Sequence, residues 1–140
     1  MLDVSSVADR LHSASIHLLR RVRKEDEASG LSPARLSALS VVVFAGPLSL
    51  GRLAAAEQVR PPTMTHIVSA LEDDGLVSRE PSTHDRRSVV VAATPKGTRL
   101  LQRARARRID ALVELLGSVE GEEMATLANA ADILERVLGR

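Results

Sequence analysis

The spacing of the apolar residues changes abruptly at one glycine, Gly75, and few folds accommodate such a change in so short a span. Before it, Met64, Ile67, Val68 and Leu71 follow the i, i+3, i+4, i+7 rule of one helical face. After it come Leu76-Val77-Ser78-Arg79, a polar stretch from Pro81 to Ser88, and the β-branched run Val89-Val90-Val91 leading to Thr94. The pattern predicts a helix that opens at Pro61 and is ended by Gly75, then a β-hairpin with a long charged tip.

Upstream, Ser32-Pro33 reads as an N-cap followed by proline at the first helical position, opening a helix through Leu36, Leu39, Val42 and Val43. Gly46-Pro47 stops it. A second short helix is expected to begin at Leu48-Ser49, with Leu50, Leu53, Ala54 and Ala55 inward, and to end near Gln58. The connection from Glu57 to Pro61 is then only a few residues long. Three helices followed by a hairpin, with that short connection, describe a winged helix-turn-helix whose reading head runs from about Leu48 to Thr94. The fold class is mainly α with a small β-hairpin wing.

The flanks are helical. Val4, Val7, Ala8, Leu11, Ser15, Leu18 and Val22 lie on one face of a long first helix that is expected to end near Ser29-Gly30. Ile16 and Leu19 widen this stripe beyond the needs of one packed face, which points to a second helix-packing surface. Thr94-Pro95 caps a helix running to about Gly117, with Leu100, Leu101, Ala104, Leu112, Val113, Leu115 and Leu116 as its apolar stripe. A last helix opens around Ser118 to Glu122 and gathers Met124, Leu127, Ala131, Leu134, Val137 and Leu138 on one side.

Composition removes several classes of function. The absence of cysteine excludes disulfides, thiolate metal sites, Cys nucleophiles and direct thiol redox sensing. Phe44 is the single aromatic residue, too few rings for a protein that stacks single-stranded bases. His12 and His17 stand five apart and do not share a helical face, and with four dispersed histidines and no cysteine no structural metal is expected; no cofactor is expected either. No Gly-rich phosphate loop, HExxH motif or Ser/His/acid set suggests an enzyme. No apolar run approaches the roughly 18 residues needed to span a bilayer, and Met1-Leu2-Asp3 does not begin a signal peptide, so a cytoplasmic location is expected.

Net charge is only +1, which makes the distribution of charge more informative than its sum. Lys96, Arg99, Arg103, Arg105, Arg107 and Arg108 form a run without acids, read chiefly as an exposed helix face, with some arginines able to reach flanking phosphates. On the helix that opens at Pro61, inward packing of the apolar stripe turns Pro62, Thr63, Thr65, His66 and Ser69 outward. These side chains are small, polar or hydrogen-bonding, and they lie near the positive N-terminal end of the helix dipole, so they suit phosphates and base edges in a major groove. Pro62 has no amide hydrogen and can offer only an apolar contact, such as one to a thymine methyl. In the hairpin tip Ser82-Thr83-His84-Asp85-Arg86-Arg87, Arg86 and Arg87 are placed to reach the adjacent minor groove. Asp85 is expected to orient the tip by pairing with Arg87 or a backbone amide. The alternative is a winged-helix protein-interaction module that never touches DNA. Such a surface would expose aromatic or aliphatic anchors, whereas these faces carry Thr, His, Ser and Arg.

Val59-Arg60-Pro61-Pro62-Thr63-Met64-Thr65, Leu71-Glu72-Asp73-Asp74-Gly75-Leu76-Val77-Ser78-Arg79, Asp85-Arg86-Arg87 and Val91-Ala92-Ala93-Thr94-Pro95-Lys96-Gly97 together resemble the MarR family of bacterial regulators. The resemblance covers essentially the whole chain. It implies sequence-specific binding of double-stranded DNA, with Arg60 among the contacts. It also implies a single structural unit in which a helical dimerisation region, residues 1–30 and 95–140, carries a winged head, residues 31–94. Family members are homodimers on pseudo-palindromic operators, and many are repressors relieved by small hydrophobic or phenolic ligands. Members commonly carry Arg or another long polar residue where this chain has His66 and Ala70, so its recognition helix has fewer cations and the wing arginines gain importance.

Overall fold

A computed structural model describes residues 2–82 and 88–140. Helix α1, Val4–Arg23, opens on Asp3, whose side chain accepts from the Ser6 amide at 3.2 Å. A 3-10 segment, Lys24–Ser29, prolongs it to Gly30, where φ of +74° supplies the left-handed turn that ends it. Helix α2, Pro33–Ala45, has the anticipated start, with the Ser32 hydroxyl accepting from the Arg35 amide at 3.3 Å. It buries Leu36, Ala38, Leu39 and Val42. Val43, assigned inward from the sequence, is half-buried.

The next residues correct the expected helix start. Leu48–Ser49 form a short strand, β1, paired antiparallel with the later strand as Leu48↔Val91 and Ser49↔Val90. Two residues are too few to show strand alternation, and Ser49 serves both elements. Its hydroxyl caps α3, Leu50–Glu57, by accepting from the Arg52 amide at 3.1 Å. Leu53 and Ala54 of α3 are buried, but Ala55 is exposed rather than inward. Gln58 takes a left-handed φ of 56° and reverses the chain into α4, Pro61–Asp73.

Helix α4 buries Met64, Val68 and Leu71 and leaves Ile67 half-buried. Gly75, with φ of +72°, turns the chain into β2, Val77–Pro81, which pairs with β3, Val89–Ala93, from Val77↔Ala93 to Pro81↔Val89. The wing is therefore rooted in a three-stranded antiparallel sheet of order β1-β3-β2. One apolar core joins α2, α3, α4, the sheet and the first turns of α5, with Leu39, Leu53, Met64, Val68, Leu71 and Val91 fully buried.

Helix α5, Pro95–Leu115, starts on Thr94, whose hydroxyl accepts from the Gly97 amide at 3.1 Å and donates to the Gly75 carbonyl at 2.6 Å. Leu101 and Ala104 anchor α5 to the core. After a 3-10 turn, Leu116–Ser118, helix α6, Gly121–Val137, leaves the core altogether and buries none of its residues. Its apolar side ends in Val137 and Leu138, 71% and 72% exposed, and most of the α1 stripe is likewise uncovered in the single chain. Among the described residues no single helix is long and apolar enough to cross a membrane.

Candidate nucleic-acid interface

Packing decides which face of α4 is available. Because Met64, Val68 and Leu71 point into the core, Arg60, Pro62, Thr63, Thr65 and His66 stand exposed on the opposite side, near the helix N-terminus. Arg60 is the N-cap residue with extended backbone and no side-chain capping bond, and Pro61 and Pro62 occupy the first positions. Neither proline has an amide hydrogen, so this turn presents fewer donors to an anion than an ordinary helix start. Thr65 directs its hydroxyl proton to the Pro61 carbonyl at 3.0 Å, which leaves its oxygen lone pairs and methyl for a ligand.

Ser69 is placed differently from the other five. It is half-buried, and its hydroxyl accepts from Arg79 Nη2 at 2.9 Å. Arg79 Nε also lies 3.6 Å from Glu72 Oε1, so the guanidinium of β2 joins the third and last turns of α4. Sequence reasoning did not place Arg79 against α4. Strand alternation contains the signal, since Arg79 follows the buried Val77 by two and so shares the face turned to α4. The wing residues Asp85, Arg86 and Arg87 lie outside the described residues.

The far end of α4 is latched to the start of α5. Thr94 donates its amide to the Leu76 carbonyl at 3.1 Å, and Lys96 Nζ donates to the Asp74 carbonyl at 2.8 Å. At α3, Glu57 accepts from the Ser37 hydroxyl through both carboxylate oxygens, at 3.0 and 2.7 Å, tying α3 to α2. The far end of α4 is thus tied to α5, and α3 beside it to α2.

A model of the MarR family matches residues 31–89, the span from just before α2 to the start of β3. Over 96% of this chain, an HTH-type transcriptional regulator of Mycobacterium leprae is 38% identical, with 94% of that relative covered. The chain belongs to the MarR family. The HTH-type transcriptional repressor MdtR of Bacillus subtilis is 29% identical, covering 79% of this chain and 76% of the relative. The fold agrees: a transcriptional regulator of Thermotoga maritima superposes with a TM-score of 0.82 at 25% identity, over 97% of this chain and 96% of the other. A MarR family protein from Bacillus stearothermophilus gives 0.83 at 23% identity, over the full length of both chains. As a MarR-family protein the chain is a DNA-binding transcription regulator and not an enzyme.

A second feature of this MarR-family chain is a cavity of about 410 Å³ between α1, α2 and α5. Leu19, Leu36, Phe44 and Leu101 supply apolar walls, and Arg23, Arg105, Ser37 and Ser40 polar ones. Arg108 and Asp26 close one side as a bidentate pair, with Nε donating to Oδ1 at 2.7 Å and Nη2 to Oδ2. That hydrogen bond raises the Arg108 guanidinium above its ordinary pKa, burial opposing it and the charge of Asp26 adding to it.

Proposed function

We propose that the chain acts as a cytoplasmic homodimer in which the helical region of residues 1–30 and 95–140 interlocks with its copy. Each copy presents a head, residues 31–94, to a pseudo-palindromic operator. The observation that carries this reading is the exposed set Pro62, Thr63, Thr65 and His66 in the N-terminal turns of α4, on a helix that leads directly into the wing hairpin. The N-terminal turns of α4 enter the major groove, where Pro62, Thr63, Thr65 and His66 meet base edges and Arg60 meets phosphate. Arg86 and Arg87 reach the neighbouring minor groove, with Asp85 orienting the wing tip. Ser69 acts one step back, by holding Arg79. The uncovered apolar faces of α1 and α6 support the dimer, because contiguous exposed apolar surface of this kind marks an interaction site.

Occupation of the operator blocks transcription, as the name of the related repressor from Bacillus subtilis suggests. The cavity beneath α2 suits a small hydrophobic or phenolic effector. It has apolar walls, guanidinium groups at its edge and contact with both the dimerising helices and the head. An occupant there would bind one separation of the heads better than another and so couple to DNA affinity.

Salt-dependent binding to a selected operator tests the reading. Arg86→Ala and Arg87→Ala should each weaken binding and flatten the dependence on salt, since each phosphate neutralised contributes about 0.9 to the logarithmic slope. An unchanged slope in both variants removes the wing from the mechanism.

A further inference from the structure

We propose that Arg79 is a phosphate-contacting residue, a guanidinium held at the junction of recognition helix and wing to grip the DNA strand that passes between them. The inference rests on the reading of α4 as the major-groove helix. A helix in a major groove and a wing in the neighbouring minor groove straddle one sugar-phosphate strand, and that strand must cross where α4 faces β2. The side chain spanning that junction is Arg79.

Three observations support the assignment. First, the guanidinium is oriented but not used up: Nη2 donates to Ser69 at 2.9 Å, and the side chain is still 32% exposed. Second, its acidic neighbour is a weak competitor. Nε stands 3.6 Å from Glu72, too long for a hydrogen bond, and Glu72 is 42% exposed, so a phosphate can take its place. Third, the local supply of cations is thin. Between Pro61 and Asp73 there is no Lys or Arg, Arg60 sits at the opposite end of α4, and Lys96 is engaged with the Asp74 carbonyl. Arginine suits the task because its planar fork can hold the Ser69 hydroxyl with one edge while offering the rest to a phosphate. Ser69 is then a positioning residue for Arg79.

The test is a salt titration with two duplexes, one recovered by selection from genomic fragments and one of the same length with shuffled sequence. Arg79→Gln removes the charge and keeps a polar side chain, and Arg79→Lys keeps the charge without the fork. With one contact in each of two subunits, Arg79→Gln should reduce the slope of log affinity against log salt by about two, on both duplexes. Over a fourfold rise in salt, that is a roughly tenfold smaller loss of affinity than the parent shows. Arg79→Lys should retain the slope and lose affinity, and Ser69→Ala should do the same. An Arg79→Gln protein with the parental melting temperature and the parental slope overturns the assignment and leaves the wider reading intact. A parent protein that binds neither duplex overturns both.

Discussion

Gly97 packs so closely on Leu76 that a Cβ at Gly97 would lie 2.0 Å from the Leu76 carbonyl oxygen. The obstacle is backbone, and the same carbonyl accepts the Thr94 amide, so it cannot swing aside. With the bonds from Thr94 to Gly75 and from Lys96 to Asp74, this approach makes the end of the recognition helix and the start of α5 one rigid piece. A shift of α5 at the proposed dimer interface would therefore be passed to α4 through these bonds.

Gly97→Ala should be strongly destabilising, by at least the roughly 1–3 kcal/mol typical of overpacking. Thermal or denaturant unfolding measures it. An alanine variant as stable as the parent would show that the Leu76–Gly97 approach is not a constraint.

The Asp26–Arg108 pair should matter to stability. Arg108 is 34% exposed but Asp26 only 13%, and two hydrogen bonds join them, so Asp26→Asn is expected to cost about 1–3 kcal/mol. The sign of the pH effect follows from Arg108. Its folded pKa is raised, so its contribution is present below the ordinary guanidinium range and fades only as pH climbs through the raised value. From the guanidinium, the stability gap between parent and variant should stay constant from neutral to mildly alkaline pH. Unfolding curves at several pH values check this, and a gap that closes over that range contradicts it.

On α4, Thr63→Ala and His66→Ala should change the ranking of operator variants more than the affinity for shuffled DNA. A good bidentate base contact is worth about 1–3 kcal/mol of discrimination, and the single contacts open to Thr63 and His66 should be worth less than that. Competition binding across single-base variants is the measurement. An equal loss on every sequence would reduce Thr63 and His66 to placing the protein on the backbone.

Much of this arrangement was legible in the sequence where local chemistry decides the structure. Ser32-Pro33 and Thr94-Pro95 cap helices as their residue types predict, and Gly75 ends α4 with a positive φ. The uncovered stripe on α1 was visible as apolar residues in excess of one packed face. What escaped was set by contacts distant in the chain. Leu48-Ser49 joins a sheet because β3 passes beside it, some forty residues later in the chain. Ser69 was assigned to DNA by its outward place on the helical wheel, yet its partner is Arg79, ten residues on and in another element. The cavity wall could not be read either, since Asp26 and Arg108 meet across a separation of 82 residues.

The proposed dimer sets an oligomeric state that a single substitution should change. The chain has a mass of 15.0 kDa, and sedimentation should give about twice that. Leu127→Asp on α6 replaces a side chain that is exposed in the single chain, so it should leave the head folded while shifting the species toward monomer. A parent protein that sediments as a monomer contradicts the dimer.

Whether paired heads read successive major grooves is decided by selection of bound fragments from random or genomic DNA. Paired heads should enrich a pseudo-palindrome whose half-sites are about 10–10.5 base pairs apart, centre to centre, or a whole multiple of that. Recovery of fragments with no shared sequence, or of a single unpaired half-site, would contradict it.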